Sequence, residues 1–194
     1  APGGAARAGR TPGGFDYQVR QRSGRDYVQE VDVSLQEAYA GTKRIIHKDG
    51  RRLEVKIPPG ARTGTRVRVA GEGGAGAAGG QAGDLFLRVS VRSGLQFERD
   101  GDDLRVSVPV DLYTPILGGE AKVPTMVGPV MLTIPPGTED GQVFRLRGKG
   151  MPKLRNPEEH GDLYAEIDVE LPTELSDRER ELFEELRSLS VGSR

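Results

Sequence analysis

The residues that most often carry catalysis or bind metals are few in this sequence and are not grouped. The two histidines, His47 and His160, lie far apart, and neither has a second His, a Cys or a carboxylate at ligand spacing. No serine occurs in the Gly-x-Ser-x-Gly pattern of a nucleophile elbow. We therefore predict no catalytic residues, no metal site and no cofactor, and we interpret His47 as a solvated strand residue and His160 as a solvated loop residue.

Two further motifs resemble ligand loops but lack the residues that such loops need. The run Asp100-Gly101-Asp102-Asp103-Leu104 has acidic residues, yet the twelve-residue spacing and bidentate Glu of a calcium loop are missing. Gly148-Lys149-Gly150 lacks the Lys-Ser/Thr ending of a phosphate loop. Both are better explained as tight turns.

A local basic run could bind phosphate, although the whole chain is nearly neutral. The 28 Lys and Arg residues are balanced by 29 Asp and Glu residues, which leaves no global field to recruit nucleic acid. A solvated strand edge protected by charge is the favoured interpretation, and nucleic-acid binding is the alternative. The run consists of Arg145, Arg147, Lys149, Lys153 and Arg155.

Apolar residues on predicted strands offer the other candidate surface. Ile45 and Ile46 are adjacent in one strand, so their side chains point to opposite faces and we expect one of them to be exposed. An exposed apolar position beside Val31 and Leu87 would form a shallow groove in which an extended peptide adds as a strand. The alternative is that both isoleucines are core residues.

The elements that would position these residues occur twice. Ile57-Pro58-Pro59-Gly60 returns as Ile134-Pro135-Pro136-Gly137, a shift from 57 to 134, or 77 residues. With one extra residue, Gly83-Asp84-Leu85 returns as Gly161-Asp162-Leu163. The chain is therefore predicted to contain two similar modules.

Each module reads as a series of short strands with one short helix. Ser34 and Glu37 form a capping-box pattern for a helix from Leu35, and Asp49-Gly50 is a strong hairpin signal between two β-like runs. We predict an all-β fold of two tandem β-sandwich or small-barrel domains, each with a short helix, plus a C-terminal amphipathic helix. The predicted divisions are a Gly-rich flexible linker at 1–22, β-domain I at 23–98, β-domain II at 99–172, and a helix and tail at 173–194.

The C-terminal segment has a helical pattern of its own. Ser176 and Glu179 again form a capping box. The apolar residues that follow at helical spacing are Leu182, Phe183, Leu186 and Leu189. This stripe needs a partner surface, either the second domain of the same chain or a second subunit.

Composition limits the cellular setting. The sequence has no Cys, which excludes disulfides and thiolate metal sites and fits a reducing compartment. It has no apolar run long enough to cross a bilayer and no signal segment. We expect a soluble cytoplasmic protein, preceded by an N-terminal domain because the chain starts in low-complexity sequence without Met.

These patterns together resemble the C-terminal substrate-binding region of DnaJ-type J-domain co-chaperones, over roughly residues 15–189. The matching segments, in the family's order, are Gly13-Gly14-Phe15, Val31 to Gly41, Ile57-Pro58-Pro59-Gly60, Gly71-x-Gly73, Gly83-Asp84-Leu85, Phe97 to Leu104, Leu117-Gly118-Gly119, Ile134-Pro135-Pro136-Gly137, Gly148 to Pro152 and Gly161 to Tyr164. The Cys-rich zinc region of type I members is absent, so the chain resembles the zinc-free type II or CbpA-like class. The His-Pro-Asp signature of a J-domain is also absent.

The resemblance implies a function and a set of residues. It implies a non-enzymatic module that captures unfolded or partly folded client polypeptides and delivers them to a DnaK-type ATPase chaperone. The client groove would be formed by Val31, Arg44, Ile46 and Leu87. In some type II members such basic residues receive the acidic tail of the partner chaperone.

The same resemblance favours one use of the C-terminal helix and leaves a second function open. It makes the helix a homodimerisation element through Leu182, Phe183, Leu186 and Leu189. Because CbpA-like relatives are associated with curved DNA, a DNA-binding dimeric module is the alternative function.

Overall fold

A computed structural model gives the structure of the chain and describes residues 21–191. Most of the predicted linker, residues 1–20, and the last three residues lie outside this range. Within it, the chain forms thirteen strands and three helices. The predicted all-β fold with short helices and a C-terminal helix is confirmed.

The first repeat contains five strands and one helix. They are β1 (Tyr27–Ser34), α1 (Leu35–Ala40), β2 (Thr42–Lys48), β3 (Arg51–Ile57), β4 (Arg66–Val69) and β5 (Leu85–Arg92).

The second repeat follows the same order, with three additional short strands, and is followed by the C-terminal helix. Its elements are β6 (Glu98–Asp100), β7 (Asp103–Asp111), α2 (Tyr113–Leu117), β8 (Gly119–Val123), β9 (Val130–Ile134), β10 (Val143–Leu146), β11 (Pro152–Lys153), β12 (Asn156–His160), β13 (Leu163–Glu170) and finally α3 (Asp177–Val191).

Each repeat has a separate hairpin and a larger sheet. The hairpins are β2–β3 and β8–β9, and the larger sheets have the orders β1-β5-β4 and β10-β13-β7-β6. Asp49 and Gly50 both have positive φ, of 49° and 74°, as the predicted two-residue turn requires. Strands β11 and β12, which form a further two-stranded sheet, were not predicted.

By its internal contacts the chain divides into two compact units. The first contains the described residues up to Gln29 together with Arg68–Leu87, and the second contains Glu30–Val67 and the chain from Arg88 onward. The domain divisions expected from the repeat, at 22, 98 and 172, stay predictions.

In the first unit, backbone hydrogen bonds join the chain before β1 to the glycine-rich segment after β4. Gly24 N donates to Gln81 O at 2.8 Å, and Gly74 N donates to Arg25 O at 2.7 Å. Asp84 accepts from Arg68 Nε at 2.6 Å and from Gly71 N at 2.9 Å. Asp84 therefore fixes the turn after β4 to the start of β5.

The same carboxylate arrangement occurs in the second unit. Asp162 accepts from Arg145 Nε at 2.6 Å and from Gly148 N at 2.8 Å. In both copies the aspartate pKa is lowered, most by the hydrogen bond from the backbone amide and next by the hydrogen bond from the arginine. The recurrence of Gly-Asp-Leu in the sequence is thus explained by a repeated structural contact.

The core of the second unit is built on two parallel strands. Leu104 of β7 pairs with Leu163 of β13, and the residues two and four positions along each strand continue the register. Alternate residues of both strands are buried. Ile57 and Ile134, the first residues of the repeated motif, are also fully buried in this core.

The first Pro-Pro-Gly turn makes a close backbone contact that the second copy lacks. Gly60 has φ +79°, and a Cβ added there would lie 2.4 Å from Pro152 O. Gly60 N donates to Ala38 O at 2.8 Å. Gly137 has nearly the same φ, +81°, but has nothing within 4 Å of the same position.

Helix α1 begins with the predicted capping box. Ser34 Oγ accepts from Glu37 N at 3.1 Å, and Ser34 N donates to Glu37 Oε2 at 2.8 Å. Arg44 also donates to Glu37. The hydrogen bond from Arg44, followed by that from the Ser34 backbone, lowers the pKa of Glu37 to about 2.

The two glycines give a matched pair of substitutions. Gly137→Ala should cost about 1 kcal/mol of stability, because alanine disfavours a left-handed backbone. Gly60→Ala should cost about 2–4 kcal/mol, since the new methyl group also forces the Pro152 backbone to move. Denaturant unfolding of both variants measures this, and equal losses would contradict the close contact.

The shifted pKa of Glu37 predicts a dependence of stability on pH. Its ordinary value is 4.5 and its folded value is about 2, so the folded state favours the carboxylate. This stabilisation is present above about pH 4.5 and is lost as the pH falls toward about 2. Because the pair is partly exposed, we expect a contribution of no more than about 1 kcal/mol.

Chemical unfolding of Glu37→Gln tests this dependence. The stability difference between the natural chain and Glu37→Gln should shrink as the pH is lowered from about 6 to about 2.5. Glu54→Gln is the control, since the ion pair of Glu54 with Lys43 is exposed to solvent. A difference that is constant over this pH range would disprove the role of Glu37.

Candidate functional site

Strand β2 separates its two isoleucines as the alternation of a strand requires. Ile46 is 7% exposed and lies opposite Leu53, whereas Ile45 is 54% exposed and lies opposite Glu54. The prediction that one of the pair is exposed is confirmed, and the alternative that both are core residues is wrong. The exposed residue is Ile45. Ile46, the residue that the family resemblance assigns to the groove, is nearly buried.

Arg44 shares the face of Ile46 and is bound to its own chain. Its two terminal nitrogens meet the two carboxylate oxygens of Glu37, each at 2.8 Å, and Nη2 also donates to Asp32 O at 3.1 Å. This bidentate geometry is the strong form of an arginine ion pair. An acidic ligand would therefore have to displace Glu37 from Arg44.

Val31 lies on β1 in the second unit, next to Asp32, whose carbonyl accepts from Arg44. It is partly buried and packs against the main core. Its neighbour Asp32 accepts from Arg92 at 2.7 Å on the surface. The structure thus brings Arg44 to the backbone beside Val31.

Leu87 is completely buried on β5 and belongs to the first unit. The other three predicted groove residues, Val31, Arg44 and Ile46, belong to the second unit. The geometry of the candidate site is accordingly described for these three residues, and the part of Leu87 in it stays a prediction.

The C-terminal helix presents a largely exposed apolar stripe. Leu182, Leu186 and Leu189 are 42%, 58% and 65% exposed. Together with Phe183 and Tyr113 of α2 they line a groove of about 310 Å³. Ile116 and Leu117 of α2 are exposed as well. The sequence predicted one short helix in this module but not the exposure of these two residues.

The predicted basic run is partly neutralised by nearby carboxylates. Arg145 is bound to Asp162, and Lys153 lies 2.7 Å from Glu159 across the β11–β12 hairpin. The hydrogen bond that Lys153 donates to Glu159 raises the pKa of Lys153. Because both cations are paired with carboxylates, less positive charge is available to a phosphate.

The histidines and acidic residues form no ligand cluster in the part of the chain that the structure describes. No three His, Asp or Glu side chains there are grouped as metal ligands. His160 was predicted to be a solvated loop residue, and this is wrong. It is partly buried at the end of β12, with Nδ1 3.2 Å from Gly150 O and its ring 5.5 Å from that of Tyr39.

Among residues 21–191, no helix has the length and apolar content that a membrane crossing requires.

Comparison with known proteins identifies the family. The DnaJ C terminal domain family matches residues 27–172. "Chaperone protein DnaJ" of Acidithiobacillus ferrooxidans is 51% identical over 135 residues, which are 70% of this chain and 36% of that protein. The protein of the same name from Deinococcus proteolyticus is 43% identical over 173 residues, 87% of this chain and 53% of that protein.

A third relative, the "Chaperone protein DnaJ" of Brucella canis, is 50% identical over 141 residues, 72% of this chain and 37% of its own length. The chain thus spans about a third to a half of the curated relatives that it matches. The family match covers both repeats and ends before helix α3. The chain belongs to the DnaJ C terminal domain family.

Proposed function

We propose that this chain is the client-binding region of a DnaJ-type co-chaperone. It would capture exposed apolar segments of non-native polypeptides and deliver them to a DnaK-type ATPase in the cytoplasm, without catalysing a reaction itself. The observation that carries this proposal is the family match over both repeats, together with relatives that are named chaperones.

The β2–β3 connection supports assignment to the zinc-free class of the family. Lys48 pairs with Arg51 across the Asp49-Gly50 turn, so the two strands are joined by the shortest common hairpin loop. The sequence has no Cys. We therefore propose a type II or CbpA-like member, in which no zinc region enters the hairpin.

The client groove is proposed along β2, at Val31, Arg44 and Ile46, with Leu87 added from the family resemblance. Within the described residues, β2 pairs with β3 alone, so its outer edge has backbone groups to offer. An extended client segment can add there as a strand and place alternate side chains toward Ile46. Since Ile46 is nearly buried, contact with it requires a small displacement of the hairpin.

Binding at such a groove should be weak and reversible. Burial of one leucine-sized client side chain contributes about 1.5–3 kcal/mol. A dimer with two grooves would raise the apparent affinity for a long unfolded chain through effective concentration.

The homodimer is proposed to form through α3. In its apolar stripe Leu182, Leu186 and Leu189 are exposed and Phe183 is partly buried, and all four line a groove with Tyr113. A second copy of the chain would cover this surface. DNA binding is not proposed, because the relatives are named as chaperones and the basic run is partly paired.

The groove can be tested with an apolar, fluorescein-labelled unfolded peptide. Ile46→Val removes one methylene and should weaken binding about fourfold if a client side chain packs on Ile46. Ile46→Ala should weaken it further, by about tenfold or more. Fluorescence anisotropy measures both affinities.

Ile45→Ala is the control, because Ile45 is on the opposite face of the same strand. Its affinity should stay within about twofold of the natural chain. An equal loss from both positions, or none from Ile46→Ala in a folded variant, would remove the groove from this face of β2.

The dimer is tested by one charge placed on the stripe and one placed off it. Leu186→Glu buries a carboxylate in the proposed interface and should shift the chain to monomers by light scattering. Ser188→Glu adds the same charge two positions away, where side chains do not share a helix face, and should leave the dimer intact. A natural chain that is monomeric at high concentration would refute the proposal.

A further inference from the structure

A second pocket, lined by arginines, lies where the chain passes from the first repeat to the second. It has a volume of about 320 Å³, and all of its lining residues belong to the second unit. Leu35 and Phe97, both buried, contribute apolar surface. Three arginines, Arg62, Arg92 and Arg99, contribute the charge.

Arg99 is held in place by backbone carbonyls. It donates to Ala61 O at 2.7 Å, to Gly101 O at 2.8 Å and to Gly60 O at 3.1 Å. These partners are neutral, so they orient the guanidinium without cancelling its charge. The pKa of Arg99 is lowered, first by burial and second by the nearby charge of Arg62. The effect of Arg62 is larger than the opposing effect of Asp102.

The other two arginines have carboxylate partners that leave room for a ligand. Arg92 is exposed and is bound to Asp32 at 2.7 Å. Arg62 is half exposed and lies 2.7 Å from Asp102 Oδ1, yet that buried oxygen receives no aligned hydrogen bond within the described residues. Arg62 and Asp102 are therefore close enough to form an ion pair but are not joined by an aligned hydrogen bond. The N–H donors of Arg62 remain available to a ligand.

The second repeat shows that the fold does not require this charge. Val91 N donates to Thr63 Oγ1 at 2.9 Å, and Val169 N makes the same bond to Asp140 Oδ1 at 3.0 Å. In this register Arg62 corresponds to Glu139, by the shift of 77, and Arg92 corresponds to Glu170, after the one-residue insertion. The same backbone positions thus carry opposite charges in the two copies.

We propose that this arginine pocket binds an acidic peptide segment of a partner protein. A carboxylate of the segment is held by Arg62 and Arg99, with Arg92 at the rim, and a neighbouring apolar side chain packs on Leu35 and Phe97. The fork of each guanidinium suits a carboxylate in a bidentate arrangement. The apolar floor distinguishes a peptide from a simple anion, which has nothing to place there.

The test uses two blocked peptides, one of alternating leucine and glutamate and one of alternating leucine and glutamine. Calorimetry should show saturable binding of the glutamate peptide and little binding of the glutamine peptide. The double variant Arg62→Gln with Arg92→Gln should bind the glutamate peptide about tenfold or more weakly. Asp102→Asn, which removes the competing carboxylate, should bind it more tightly than the natural chain.

The matched control is Arg66→Gln with Arg88→Gln, which changes the net charge equally at positions outside the pocket lining. This control should stay within about twofold of the natural affinity, and thermal unfolding should confirm that each variant is folded. Equal losses in control and pocket variants, or equal binding of both peptides, would overturn the proposal. Displacement of the peptide by inorganic phosphate at the same concentration would also overturn it, since the pocket would then bind small anions.

Discussion

The contact between the first Pro-Pro-Gly turn and the segment at Pro152 is the constraint on which the second unit depends. A Cβ at Gly60 would collide with the Pro152 carbonyl, so two backbones meet at a distance that only glycine permits. Arg99 completes the contact, because it donates to the carbonyls of Gly60 and Ala61. One junction therefore fixes the turn after β3, strand β6 and the additional hairpin of the second repeat.

In the second copy the equivalent turn is open at Gly137, where an added Cβ would have nothing within 4 Å. What the two copies share is local: a hairpin, a buried isoleucine and an aspartate that joins an arginine to a turn amide. They differ on one face of the hairpin, where Arg44 and Ile46 correspond by the 77-residue shift to the buried Ala121 and Val123. Duplication thus preserved the contacts that make the fold and allowed this face of the hairpin to diverge.

The sequence predicted the elements whose signals are local, and it missed those that depend on distant partners. The bounds of β2, β3 and β4 and both capping boxes follow from alternation, turn chemistry and cap residues within a few positions. Strands β11 and β12 are short, polar and contain Pro152 and Pro157, so no local pattern marks them. The near burial of Ile46 and complete burial of Leu87 likewise reflect tertiary packing.

The bidentate pair between Arg44 and Glu37 bears on the proposed client site. It holds β2 to α1 through a charged contact, while within the described residues β2 shares backbone hydrogen bonds with β3 alone. A strand that is already ordered loses little conformational freedom when a client segment adds to its edge. Burial of one client side chain contributes only a few kcal/mol. The proposed client site would therefore depend on this preorganised strand edge more than on a large hydrophobic area.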